Sequence, residues 1–70
     1  MRKNAKLPKK LGKKIQKLRK DTGLTQEELG HRIGVSRAYM GYIEQGRNTP
    51  SLEVLEKIAR QLRVSLSDLF

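Results

Sequence analysis

The stretch "GHRIGVSRAYM", residues 30–40, constrains the fold more than any other part of the chain. Two helical patterns meet there across nothing longer than "IGVS". A connection that short forces two helices to cross at a sharp angle, and Gly34 permits the positive φ such a turn uses. A tight crossing also needs a small residue where the helices approach. Gly30 sits mid-helix, where Gly costs about 1 kcal/mol relative to Ala, and close approach of the next helix accounts for it.

The other helices follow from their punctuation. "TQEE" at 25–28 is a capping box: the Thr25 hydroxyl accepts from the Glu28 N–H, and the Glu28 side chain reaches back to Thr25. Leu29 and Ile33 of that helix face inward. Ser36 caps a third helix that runs to about Gln45, with Gly46 as its stop. Upstream, Leu11, Ile15 and Leu18 recur at helical spacing, Pro8 suits a first turn, and Gly23 suits the position past the end. These predict a first helix over 8–22. "TPS" at 49–51 opens a fourth, capped by Thr49 or Ser51, with Leu52, Leu55, Ile58, Ala59 and Leu62 as its apolar stripe. Ser65 and Asp68 repeat the capping-box pattern before a short fifth helix over 66–70. No segment alternates with period two, and 46–50 holds loop residues. The fold expected is all-α, with five helices.

Composition narrows the function. Seventy residues make one domain with a small core. There is no Cys and one His, so no disulfide framework, metal site or cofactor is expected. No apolar run reaches membrane-spanning length, and no apolar stretch follows the basic N-terminus as in a secretory signal. A cytoplasmic protein is the expectation. The net charge is +9, and residues 1–20 hold ten of the sixteen Lys and Arg with no acid. A one-sided basic field attracts polyanions.

The third helix indicates which polyanion. At about 100° per residue, Arg37, Gly41, Gln45, Ala38 and Tyr42 fall in one arc, with Met40 and Ile43 opposite and Tyr39 at the margin. The arc has one Arg, one Tyr, one amide and two small residues, where an ordinary solvated face would carry more Glu and Lys. Arg can bind guanine O6 and N7 bidentately, and Ala can touch a thymine methyl. Gly41 would let backbone and base edges come close, and the Tyr42 hydroxyl can bond a base or a phosphate. Glu44 lies beside the arc and is expected to point back into the protein, with Arg19 as its partner.

At this point the sequence resembles the helix-turn-helix domain of the Cro/phage-repressor (Xre) family. The resemblance rests on the "LR" of helix one, "GLTQEEL", "GVSR", "IEQG", "PSLEVLEKIA" and the closing "VSLSDLF", and covers residues 11–70. It implies a five-helix lambda-repressor-like fold whose third helix, about 36–45, enters the major groove. It places the base-contacting positions on Arg37, Ala38, Gly41 and Tyr42. Gln26 matches a position that grips phosphate and braces the recognition helix. Gln45, Arg47, Asn48 and Thr49 match the loop that follows the DNA backbone, and Ser36 and Tyr39 complete the backbone-contacting set. Arg19 and Glu44 match a structural pair. The chain departs from the family at Gly30, where Ala is common, and at Gly41, where Ser or Asn is frequent. Specificity therefore leans on Arg37 and Tyr42.

The function expected is a sequence-specific regulator of transcription, as a repressor, on double-stranded DNA. The resemblance further implies a homodimer on a palindromic operator. Residues 1–7 read as a flexible basic arm outside the domain at 8–70. The alternative is an antitoxin or protein-interaction adaptor on the same fold. An enzyme is not expected: His31 stands beside Arg32 on helix two, and no carboxylate cluster or nucleophile with a base is visible. RNA binding would favour more exposed aromatics than Tyr39 and Tyr42.

Overall fold

Four α-helices and a closing 3-10 turn follow one another in the computed structural model, which describes residues 7–70. The helices are α1 (Leu7–Thr22), α2 (Gln26–Ile33), α3 (Arg37–Glu44) and α4 (Leu52–Leu62), and the 3-10 helix spans Leu66–Leu69. Of the basic arm expected over 1–7, residues 1–6 lie outside the described residues, and Leu7 already belongs to α1.

The caps form as their residue types require. The Thr25 hydroxyl accepts from the Glu28 N–H at 3.0 Å, and the Glu28 carboxylate accepts from the Thr25 N–H at 2.9 Å. These bonds hold the Glu28 carboxyl below its ordinary range, the Thr25 backbone N–H being the larger cause. The Ser36 hydroxyl caps α3 by accepting from the Tyr39 N–H. Ser51, not Thr49, caps α4, accepting from the Val54 N–H at 3.2 Å. Gly34 closes α2 at φ 81°, in the left-handed region. A Cβ on Gly30 would lie 2.8 Å from the Val35 carbonyl oxygen and 3.2 Å from Met40 Cγ, so the tight α2–α3 crossing does require a bare backbone there.

Eleven buried apolar residues form one core shared by all the elements: Leu11 and Ile15 from α1, Leu29 and Ile33 from α2, Met40 and Ile43 from α3, Leu55, Ile58, Ala59 and Leu62 from α4, and Leu69. Leu18 packs partly buried at its edge. Two expectations need correction. The fifth element is a single 3-10 turn, not an α-helix. Its N–H groups reach three residues back, Asp68 to Ser65 at 3.0 Å and Phe70 to Ser67 at 3.2 Å, and four residues are too few for an α-helical ladder. Leu52 carries the periodicity of the α4 stripe but is 60% exposed, because the helix begins beyond the edge of the core. Among the described residues, no helix is long and apolar enough to cross a membrane.

Candidate nucleic-acid interface

Helix α3 is held from below by few apolar atoms. Met40 and Ile43 are its buried apolar residues, and Tyr39 packs half-buried against the core. The remaining hold is polar. Arg19 on α1 and Glu44 on α3 meet as a two-pronged pair, Nε to Oε2 at 2.6 Å and Nη2 to Oε1 at 3.0 Å. Both are buried, at 7% and 5% exposure. Arg19 Nη1 also donates to the Leu24 carbonyl at 2.7 Å, and Gln26 Nε2 donates to Glu44 Oε1 at 2.9 Å. The network ties α3 to α1, to the α1–α2 turn and to the first residue of α2. Gln26 thus braces the helix, which is half of the role expected for it.

Burying charges is tolerable only when they are paired and hydrogen-bonded. Here the fork of Arg19 supplies two donors to one carboxylate and a third to a backbone oxygen, and no buried side-chain N or O among the described residues lacks a partner. The consequence for the outer surface is electrostatic. Glu44 is the only acid on α3, and it is turned inward and neutralised.

The outward side of α3 presents Arg37, Ala38 and Tyr42, all exposed, followed by exposed Gln45, Arg47, Asn48 and Thr49. Ser36 is exposed at the entrance to the helix, and Tyr39 lies at the margin. Arg37 has no ion-pair partner among the described residues. Together with Thr25 and Gln26 it lines a groove between α2 and α3. Gly41 departs from expectation. It is buried, with the Gln26 carboxamide nearby, 3.8 and 3.9 Å from where a Cβ would stand. A Cβ at Gly41 would make only ordinary contact with Gln26, so space alone does not require glycine there. His31 is exposed on α2.

Three features of the interface went unread in the sequence. Gly12 lets α1 cross the end of α3: a Cβ there would collide with the Ile43 carbonyl oxygen and lie 2.6 Å from that of Glu44. Lys9 lies against Gly46, whose Cβ would stand 2.7 Å from Lys9 Cγ, so the first turn of α1 borders the 45–49 loop. The Arg47 guanidinium lies over the Tyr42 ring, 5.2 Å from its centroid. A glycine amid lysines in "LGKKI" was a signal for the first of these, and the Gly46 stop between Tyr42 and Arg47 was one for the third; the second depends on a chain crossing no local pattern reports.

A helix-turn-helix family model, HTH_3, matches residues 15–69, which takes in all of α2 through the 3-10 turn. The chain belongs to the helix-turn-helix family of the Cro/phage-repressor (Xre) type. It is 47% identical over 57 residues to an uncharacterized HTH-type transcriptional regulator of Methanothermobacter thermautotrophicus, covering 80% of this chain and 83% of that one. It is 44% identical over 62 residues to the control protein C.MunI of a Mycoplasma species, covering 87% and 84%. Among solved structures it resembles the restriction-modification controller protein C.AhdI of Aeromonas hydrophila, with TM-score 0.86, 35% identity and coverage of 90% and 96%. It also resembles SinR, the master regulator for biofilm formation, solved in complex with DNA, with TM-score 0.79, 35% identity and coverage of 84% and 95%.

Proposed function

We propose that the outer arc of α3 enters the major groove of double-stranded DNA and selects sequence through Arg37, Ala38 and Tyr42. As an Xre-type helix-turn-helix protein, the chain is a DNA-binding transcriptional regulator. The observation that carries the finer reading is the composition of that arc: an Arg unpaired among the described residues, a methyl and a phenol, with the one acid of the helix removed to the interior. Arg37 offers a bidentate fork to guanine, Ala38 a methyl contact to thymine, and the Tyr42 hydroxyl a hydrogen bond at a base edge. Gln26, Ser36, Tyr39, Gln45, Arg47, Asn48 and Thr49 border the arc and fix register by contacting phosphates.

The regulator acts in the cytoplasm, as a repressor, without catalytic activity. One α3 spans few base pairs, so two copies on a palindromic operator supply the rest of the affinity, with half-sites about 34–36 Å apart. Arg2, Lys3 and Lys6 of the leader add phosphate contacts that read charge alone.

Selection of duplexes from a random pool, followed by footprinting, tests this reading. A two-fold symmetric site with a guanine in each half-site is expected. Recovery of unrelated sequences bound with equal affinity would remove base reading, and an asymmetric single-turn footprint would remove the dimer.

A further inference from the structure

Helix α3 ends with Gly46 in the left-handed region at φ 77°. The Gly46 N–H donates to the Ile43 carbonyl at 3.1 Å, and the Arg47 N–H donates to the Tyr42 carbonyl at 2.9 Å. This pair of bonds turns the chain back over the last turn of the helix and sets the residue after the glycine above the residue five positions earlier. An apolar contact ordinarily fills that place. Here the two residues are Arg47 and Tyr42, and they stack as a cation on a ring, 5.2 Å from guanidinium carbon to ring centroid. Arg47 Nη1 also reaches Gln45 Oε1 at 3.4 Å. The turn is fixed from outside as well: any side chain at Gly46 would run into the backbone of Lys9, 2.8 Å from its Cα.

We infer that Arg47 is a positioning residue for base selection: by lying on one face of Tyr42 it holds the ring in the orientation that α3 presents to the groove. This rests on the reading of α3 proposed above. Tyr42 is 43% exposed. A half-exposed phenol can swing between rotamers, and each swing moves its hydroxyl away from any one base edge. The guanidinium lies over the ring, and Tyr42 remains 43% exposed beside it. Its remaining N–H groups stay available to a phosphate, since Arg carries five donors in a plane. Arg47 thereby influences which base is chosen without touching a base. A phosphate contact alone would act on every sequence equally.

The test is binding of wild type, Arg47→Ala, Arg47→Lys, Tyr42→Ala and the Arg47→Ala/Tyr42→Ala double variant to the selected duplex and all its single-base variants, at two salt concentrations. Tyr42→Ala identifies the base pairs that Tyr42 discriminates. Arg47→Ala should flatten preference at those same pairs by about two- to fivefold, the size of an exposed cation–π contact, and add nothing there to Tyr42→Ala. Arg47→Lys keeps the charge but loses the planar stack, so it should keep the salt slope and still flatten preference. If Arg47→Ala weakens every duplex alike and leaves the Tyr42 pairs as selective as before, Arg47 holds phosphate only and the inference is wrong. If Tyr42→Ala changes no base preference while wild type still selects, the assignment of Tyr42 fails and the inference falls with it.

Discussion

Helices α3 and α4 are held in the same core by different means. Helix α4 buries Leu55, Ile58, Ala59 and Leu62, and no buried charge takes part. Helix α3 buries Met40 and Ile43 and relies for the rest on Glu44, fixed by Arg19 and Gln26, and on the bare backbone of Gly12 against its last turn. Apolar burial is strong but non-directional. A forked ion pair is directional, and its net contribution to stability is small because both charges must be desolvated. The difference teaches what each helix is for. Helix α4 contributes to the core. Helix α3 buries a charged residue beside its two apolar ones, so it is oriented by polar contacts whose geometry fixes its rotation and tilt.

The largest expected effect separates these two devices. Glu44→Ala leaves a buried guanidinium uncompensated and should destabilise by about 3–5 kcal/mol. Ile58→Ala on α4 should cost a similar amount, about 2–5 kcal/mol, through a cavity. The double variant Arg19→Met/Glu44→Leu tells them apart. It should recover much of the stability lost in Glu44→Ala, because apolar residues can replace a buried pair, yet bind DNA more weakly, because α3 is no longer fixed in rotation. Urea unfolding and duplex binding of the same samples check both. A double variant no more stable than Glu44→Ala would contradict this.

Gly12→Ala sharpens the comparison from the α1 side. In an open helix the change would stabilise by about 1 kcal/mol. Here the new methyl meets the backbone of Ile43 and Glu44, so a net loss of about 1–3 kcal/mol is expected from overpacking. A rise in melting temperature would show that α1 can move away from α3 freely.

Helix α4 gives a smaller test of opposite sign. It ends on Arg63 at φ 61°, where the left-handed residue after α1, α2 and α3 is Gly23, Gly34 and Gly46. Arg63→Gly should stabilise by up to about 1 kcal/mol, the left-handed penalty less the entropy glycine loses on folding. A loss of stability would show that the Arg63 side chain contributes a contact worth more than the strain.

The smallest effect is in pH. Glu28 and Asp68 are both held below their ordinary values, chiefly by the backbone N–H of Thr25 and of Ser65. With the folded pKa below the unfolded one, their contribution is complete above the ordinary carboxylate value. It is lost as pH falls through the lowered folded value. The urea midpoint of the wild type should therefore fall more across that acid window than that of Glu28→Gln/Asp68→Asn. Equal slopes would mean the caps do not titrate with folding.

The elements were legible in the sequence because their signals are local. Thr25 with Glu28, Ser36 and Gly34 mark helix ends within four residues of themselves, and the bonds they predict are formed. Opposite charge, together with the resemblance to the family's structural pair, joined Arg19 to Glu44 across the core. What was not legible depends on where distant segments cross. Gly12 has a role only because α1 passes over the end of α3, and Gly41 is buried although helical phase set it on the outer arc. Periodicity assigned Leu52 a face but could not say that the core ends before reaching it. The final turn carries a capping-box pattern in four residues, too short for the α-helix that pattern implied. Arg47 over Tyr42 follows from the path of the chain after Gly46.

The central claim is that polar contacts beneath α3 hold its outer face in place to read bases. Arg37 tests it most directly, since it is exposed and unpaired among the described residues and contributes nothing to the core. Binding of Arg37→Ala should be measured on the selected site and on every single-base variant of it. The account predicts a loss on the order of 1–3 kcal/mol on the selected site, with preference relaxed at one base pair per half-site and unchanged elsewhere. An equal loss on every duplex, with all base preferences intact, would place Arg37 on the phosphate backbone and contradict the claim that this face of α3 reads sequence.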